Sequence, residues 1–320
     1  MPNRIGRFAL ATGEMSVTDA VAAAREAEAL GYEAAYAGEA GLEADAFVVS
    51  AAVLDATSTI RVGPGIANVV DRHPVALARA ASSLGRLAPG RAFLGLGRGA
   101  PEHARALGVE PATTGALEDA LRICRAVLDG EPVDHPGRRW RARLGPAPAR
   151  ARPASPVPLH LAAVGPNTLR LAGALADTAL LNYASGPEYV AWAVARVREG
   201  AERAGRDPAE VDIAGYVLLA RTDQEDSARQ LEAVGRVVAA VHAIPGEGEL
   251  LAAPSGGSPP TLSDLALARF AAVGDGDACR ARLDEYRAAG LRSIVLLPRG
   301  MRALHGQGGV QGGGPPQAGA

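Results

Sequence analysis

The sequence predicts an α/β fold, a (β/α)8 TIM barrel with inserted loops. Three observations carry this. The 320 residues suit one large domain. Strand and helix signals alternate along them, giving eight strands over about 300 residues. The strands are apolar runs, as parallel strands buried on both faces require. A doubly wound open sheet is the rival arrangement of the same elements.

The elements follow in order. Strand one covers 4–10. Helix one starts at Ser16, a good N-cap with Asp19 three residues on, and stops at Gly31. Strand two spans 32–37, with a short helix at 45–55. Strand three spans 60–66, with a helix at 74–87. Strand four spans 91–96, with a helix at 117–128. Residues 130–157 are rich in Pro and Arg and lack a helical period, so they read as an inserted loop or small hairpin. Strand five spans 158–163, with a helix at 166–176. Strand six spans 178–181, with a helix at 188–204. Strand seven spans 211–219, with a helix at 225–241. A second insertion, 243–261, carries Gly, Ser and Pro. Helical stretches at 262–272 and 277–289 lead to strand eight at 293–297. The barrel domain is expected over 1–300, and 301–320 as a flexible tail with little to bury.

Composition narrows the chemistry. Hydrophobic residues are 48% but aromatics only 4%, so the core must be built from Ala, Val and Leu. A net charge of −2 without charge blocks gives no footprint for nucleic acid. The chain has no lysine. Schiff-base, pyridoxal-phosphate and P-loop lysine chemistry are therefore excluded. Cys124 and Cys279 read as small core residues. The six histidines lack metal-ligand spacing, and there is no GxSxG elbow. His160 lies inside strand five and reads as a core or lining residue. The opening residues enter a strand pattern without a basic and then apolar leader, and no apolar run reaches about 18 residues. The expected location is the cytoplasm, with no membrane partner.

In such a barrel the active site lies where strands end, which selects the residues to inspect. Strand two ends at Gly38-Glu39, a carboxylate able to exchange a proton or to hydrogen-bond a cofactor. Strand three ends in Gly63-Pro64-Gly65-Ile66-Ala67-Asn68. Its glycines around a proline mark a bulge or a close backbone approach. Strand four ends in Gly95-Leu96-Gly97-Arg98-Gly99. The dinucleotide GxGxxG spacing is incomplete, so this reads as a glycine floor, with Arg98 a candidate anion contact. Strand five runs into Ala163, Val164, Gly165 and Pro166. This small-residue loop enters a helix and offers free N–H groups to a phosphate. Strand six ends at Asn182-Tyr183-Ala184-Ser185, polar groups at a substrate or cofactor position.

The run VGPGIANVVDRHPVALARAASSLGRLAPGRAFLGLGRG, residues 62–99, resembles the signature of luciferase-like oxidoreductases. The resemblance is to the coenzyme F420-dependent branch that includes methylenetetrahydromethanopterin reductase. PVPLHLAAVGPNTLRLAGALADTALLN, residues 156–182, is similar to the strand-five-to-six unit of that family. The resemblance implies a cofactor in the barrel mouth with its ring against the strand-three bulge. It places a non-prolyl cis peptide at Gly65-Ile66. Asn68 matches a cofactor-contacting position and Gly97 the strand-four floor. Ala163, Val164 and Gly165 match the loop that meets the cofactor tail phosphate, and Glu39 the acidic strand-two position. The sequence departs from the family at Ala40, Val69 and Ala100, where His, Pro and Asp or Trp are usual.

The expectation is an oxidoreductase that passes a hydride between coenzyme F420 and a small imine-, enone- or carbonyl-like substrate. Glu39 is the expected proton donor or acceptor. An FMN-dependent monooxygenase on the same fold is one alternative, and a barrel that binds flavin or ligand without turnover is another. A homodimer is left open.

Overall fold

The computed structural model describes residues 7–10, 15–39, 44–255 and 267–298. The expected tail, 301–320, lies outside them, as do Ala40 and residues 262–266 of the helix expected at 262–272. In chain order the elements are β1 (Arg7–Leu10), α1 (Val17–Ala29), β2 (Ala34–Ala37), α2 (Ala46–Ala56), β3 (Arg61–Pro64), β4 (Ala67–Asn68), α3 (Pro74–Leu87), β5 (Leu94–Gly97), α4 (Pro101–Ala106), α5 (Thr114–Asp129), β6 (Val133–Pro136), β7 (Arg141–Leu144), β8 (Leu159–Ala163), α6 (Pro166–Leu175), β9 (Thr178–Leu181), α7 (Pro187–Arg203), β10 (Asp212–Arg221), α8 (Ser227–His242), α9 (Glu247–Ala252), β11 (Ala272–Gly274), α10 (Gly276–Ala288) and β12 (Ser293–Pro298).

The main sheet runs β3-β2-β1-β12-β10-β9-β8-β5-β4, and its strand pairs are parallel. Its two ends meet. Val62 of β3 bridges Ala92 in parallel, donates to Arg91 O at 2.8 Å and accepts from Phe93 N at 3.3 Å. With β3 and β4 as two pieces of one stave, eight staves close into a ring. This closure excludes the open-sheet rival.

Helices cover the outside, and the composition shows how they pack. With so few aromatics, the inner face of α1 is Ala20, Ala23, Ala24 and Ala27, all buried, which lets helix and sheet approach closely. Ser16 caps α1, accepting from Asp19 N at 3.1 Å. Near the other end of α1, Glu28 accepts from Ser58 N at 2.9 Å, Thr59 N at 2.6 Å, Thr59 Oγ1 at 2.9 Å and Ile60 N at 2.9 Å. Partial burial pushes this carboxyl up, but the donors of Ile60, Thr59 and Ser58 outweigh it and hold the pKa at about 2. One carboxylate thus ties α1 to the entry of β3.

Residues 130–157 contain the antiparallel hairpin β6–β7. It is held against α5 by Asp119, which accepts from His135 Nε2 at 2.8 Å, Arg139 N at 2.9 Å and Trp140 N at 3.2 Å. The tip reaches the start of α3, where Trp140 meets His73 edge-on at 5.3 Å.

Several short features depart from the sequence expectation. The insertion expected at 243–261 contains α9, fixed by Glu249 accepting from Gly246 N at 3.0 Å and by burial of Leu251. The six-residue α4 was not foreseen, because one and a half turns give too little periodicity to read. The helix expected to reach Ala272 ends earlier. Ala272 starts β11 instead, pairing with the Leu219–Arg221 end of β10. Strand three is not continuous over 60–66 but stops at Pro64 and resumes at Ala67. Among the described residues, no helix is long and apolar enough to cross a membrane.

Candidate active site

The break in strand three lies at the C-terminal end of that stave, on the side of the barrel where the strands end. The Gly65-Ile66 peptide is cis, at the step the resemblance indicates. Pairing changes partner there. Gly65 N still donates to Ala37 O next to β2, at 2.7 Å. From Ala67 onward the chain pairs with Leu96 and Gly97 of β5, and Val69 N reaches Gly97 O at 3.0 Å. Gly65 has no room for a side chain. A Cβ there would lie 2.5 Å from Tyr36 Cδ1 and 2.7 Å from the Tyr216 hydroxyl. Gly97 is buried, and a Cβ on it would lie 2.5 Å from Ile66 Cδ1. The floor at strand four is therefore covered by the half-buried Ile66 side chain, and Gly97 makes room for it.

Glu39 joins strand two to this break. Its side chain is 10% exposed. Oε2 accepts from Asn68 N at 3.0 Å and Oε1 from Arg72 Nη1 at 2.7 Å. Arg72 also pairs with Asp45, the N-cap of α2. Burial pulls the Arg72 guanidinium down. The Glu39 hydrogen bond and the charges of Glu39, Asp45 and Asp71 outweigh it and leave the pKa raised. The buried Asn68 amide donates through Nδ2 to Asp71 Oδ2 at 3.2 Å, and Asp71 Oδ1 accepts from His103 Nε2 of α4 at 2.8 Å. Both Glu39 oxygens are thus engaged within the protein. Proton exchange at Glu39 requires one of them to be released.

Arg98 is exposed, and Nη2 donates to Thr168 Oγ1 at 3.1 Å. It thereby links the loop after β5 to the first turn of α6. That helix begins at Gly165 with no side-chain cap and Pro166 in the first turn. Ala163 is buried at the end of β8, and Val164 O accepts from Tyr189 OH at 2.8 Å. A Cβ on Gly165 would meet nothing closer than Leu250 Cδ1 at 3.8 Å. An uncapped helix N-terminus, open space and an arginine together suit an anion.

The loop after β9 is held tightly. Asn182 Nδ2 donates to Glu247 Oε1 at 2.7 Å, while its Oδ1 accepts from Tyr183 N at 2.9 Å. His242 Nε2 donates to Ala184 O at 2.8 Å, and Tyr286 OH to Ser185 O at 2.7 Å. Between these clamps Ala184 takes a left-handed φ of 60°, sparsely populated for a residue with a Cβ. The Asn182 amide is used inside the protein. What this loop turns toward the barrel is Tyr183, edge-on to Tyr216 at 6.3 Å.

Inside the barrel His160 stacks flat on Phe93 at 4.4 Å and is buried, a core residue as the sequence suggests. Tyr36 and Tyr216 flank the break. Their signal was in the sequence: each is the lone aromatic in a strand of small and aliphatic residues, AAYA and DIAGYVLLAR. Asp71, His103, His242 and Glu247 had no comparable signal.

The family described as luciferase-like monooxygenase matches residues 2–293, and the chain belongs to it. The 5,10-methylenetetrahydromethanopterin reductase of Methanolobus tindarius is 32% identical over 262 residues, covering 75% of this chain and 77% of that protein. The F420-dependent glucose-6-phosphate dehydrogenase of Kineococcus radiotolerans is 32% identical over 182 residues, 55% of this chain and 53% of that protein. The solved structure of coenzyme F420 dependent tetrahydromethanopterin reductase from Methanopyrus kandleri matches with a TM-score of 0.75 at 25% identity, covering 91% of this chain and 92% of that one.

Proposed function

We propose that this protein is an oxidoreductase that passes a hydride between coenzyme F420 and a small organic substrate with an imine, enone or carbonyl group. The observation that carries the reading is the mouth of the barrel. There the strand-three break at Gly65-Ile66 lies in the same ring of strand ends as the uncapped start of α6 beside Arg98. Relatives and a structural neighbour whose names specify F420 support it. The residues fit such a group. Val164, Gly165, Pro166 and Arg98 would hold an anionic tail through N–H groups and positive charge. Ile66, with Gly65 and Gly97 behind it, would back the ring. Asn68, fixed by Glu39 and Asp71, would present its amide, and Ala163 and Asn182 would border the site. F420, when bound, would carry the hydride at C5 of its deazaflavin ring, donating it when reduced and accepting it when oxidised. The chain's part is to orient the reactants, exclude water and hold a proton donor or acceptor, for which Glu39 remains the candidate once an oxygen is freed.

Fluorescence titration of the purified protein with F420 and with FMN tests the reading. Tighter binding of F420 is expected. Micromolar FMN binding with none for F420 would overturn it in favour of a flavin enzyme.

A further inference from the structure

The third and seventh staves of the ring stand opposite each other, and one side chain spans the gap. Tyr216, in β10, donates its hydroxyl proton to Gly65 O at 2.7 Å, joining residues 151 apart in sequence. Its ring is fixed edge-on between Tyr36 at 5.9 Å and Tyr183 at 6.3 Å. Burial, with Tyr36 and Tyr183 beside it, raises its pKa well above that of an ordinary tyrosine, so the phenol stays a donor.

Gly65 is where strand three leaves the regular ladder. Its N–H is taken by Ala37 O, and pairing with β5 starts only at Ala67. At such a break a backbone carbonyl needs a partner from outside the ladder, since an unpaired buried carbonyl is costly. The Tyr216 hydroxyl supplies that partner from across the barrel. Glu39 holds the far side of the same break through Asn68 N at 3.0 Å. The break is thus held at both ends, by a side chain from β10 and one from the loop after β2.

We propose that Tyr216 is a positioning residue. By holding Gly65 O across the barrel it fixes the shape of the strand-three break, and through that shape it sets the affinity for the cofactor. This rests on the reading that the break faces the cofactor ring.

The test is Tyr216→Phe, which keeps the ring packing and removes one hydroxyl. Ser82→Ala is the control. It removes a side-chain-to-backbone bond of the same 2.7 Å length on the outer wall, together with an acceptor for Arg86 Nη1 at 3.3 Å. Two measurements are made on each protein: amide hydrogen exchange without ligand, and titration with F420 and FMN. Expected for Tyr216→Phe is faster exchange confined to the segment around residues 65–69, and affinity about tenfold weaker for whichever cofactor the wild type binds. Ser82→Ala should change neither. Unchanged exchange around the break overturns the proposal, and so does unchanged affinity, even if melting falls. If the wild type binds FMN alone, the F420 reading fails while the Tyr216 proposal is judged on FMN. If it binds neither cofactor, the link to affinity is refuted, and the exchange data decide whether Tyr216 shapes the break.

Discussion

Glu39 shows how a residue legible in the sequence acquires a second role in the structure. A carboxylate at the end of strand two suggests proton exchange, yet both oxygens accept hydrogen bonds, from Asn68 N and from Arg72. Glu39→Gln replaces one acceptor oxygen with an NH2 group, which must then face a donor. Losing one charge-assisted bond in this way costs about 1.5–3 kcal/mol. The expected outcome is a lower melting temperature together with weaker cofactor binding, measured by thermal melting and fluorescence titration. An unchanged melt and affinity with a selective loss of turnover would show that Glu39 acts in proton exchange and anchors nothing. Glu39, Gly65 and Asn68 were legible because strand ends and glycine breaks are local signals. Tyr216 stood out as a lone strand aromatic, but its bond to Gly65 did not, and Asp71 and His103 gave no signal, because what makes these residues matter is a contact with a residue distant in the chain or an amide orientation. No spacing rule encodes either.

Among the elements, length decided what could be read. The strands and the helices of ten residues or more carry enough period to be placed within a few residues. The six-residue α4 and α9 and the three-residue β11 depend on tertiary contacts for their existence. The junction of α1 with β3 depends on one group. The Glu28 carboxyl is held at about 2, below its ordinary value of 4.5. A depressed carboxylate stabilises the fold above its unfolded pKa and loses that contribution as pH falls toward its folded one. The contribution from Glu28 is therefore complete above about pH 4.5 and fades between there and about pH 2. Glu28→Gln should be less stable than wild type at neutral pH, with the difference shrinking across that window. Parallel urea titrations at several pH values measure this. A difference that stays constant down to pH 2 would show that the hydrogen bonds act without the charge. Asp119 in the β6–β7 clamp shifts in the same direction. Burial raises it, but His135 and the N–H groups of Arg139 and Trp140 hold it below its ordinary value. Acid should therefore loosen the hairpin as well.

For the whole molecule, a parallel sheet of eight staves was legible from the alternation of apolar strands with helices, since parallel neighbours need crossovers of this length. What alternation cannot distinguish is closure from an open sheet. The contacts of Val62 with Arg91, Ala92 and Phe93 settle that point, and they depend on Gly63 and Gly95 letting two staves approach. Closure at the other seam comes from β12, which pairs with β1 and β10 and ends at Pro298. Residues 308–320 are Gly, Pro, Gln and Ala with a single Val, leaving little to bury. A chain ending at Gln307 should therefore melt at the same temperature as the full chain and bind cofactor equally well. A clear drop in either, by calorimetry or titration, would give the tail a structural role.

The loop at Ala184 has a thermodynamic consequence. Its left-handed backbone costs about 1–2 kcal/mol and is held there by groups on α8, α9 and α10. That cost, and the loss of chain freedom at residues 182–185, belong to folding. A molecule that settles against Tyr183 meets a wall whose disorder has already been removed. Its association then carries little of the ordering penalty that weakens binding to a loose loop.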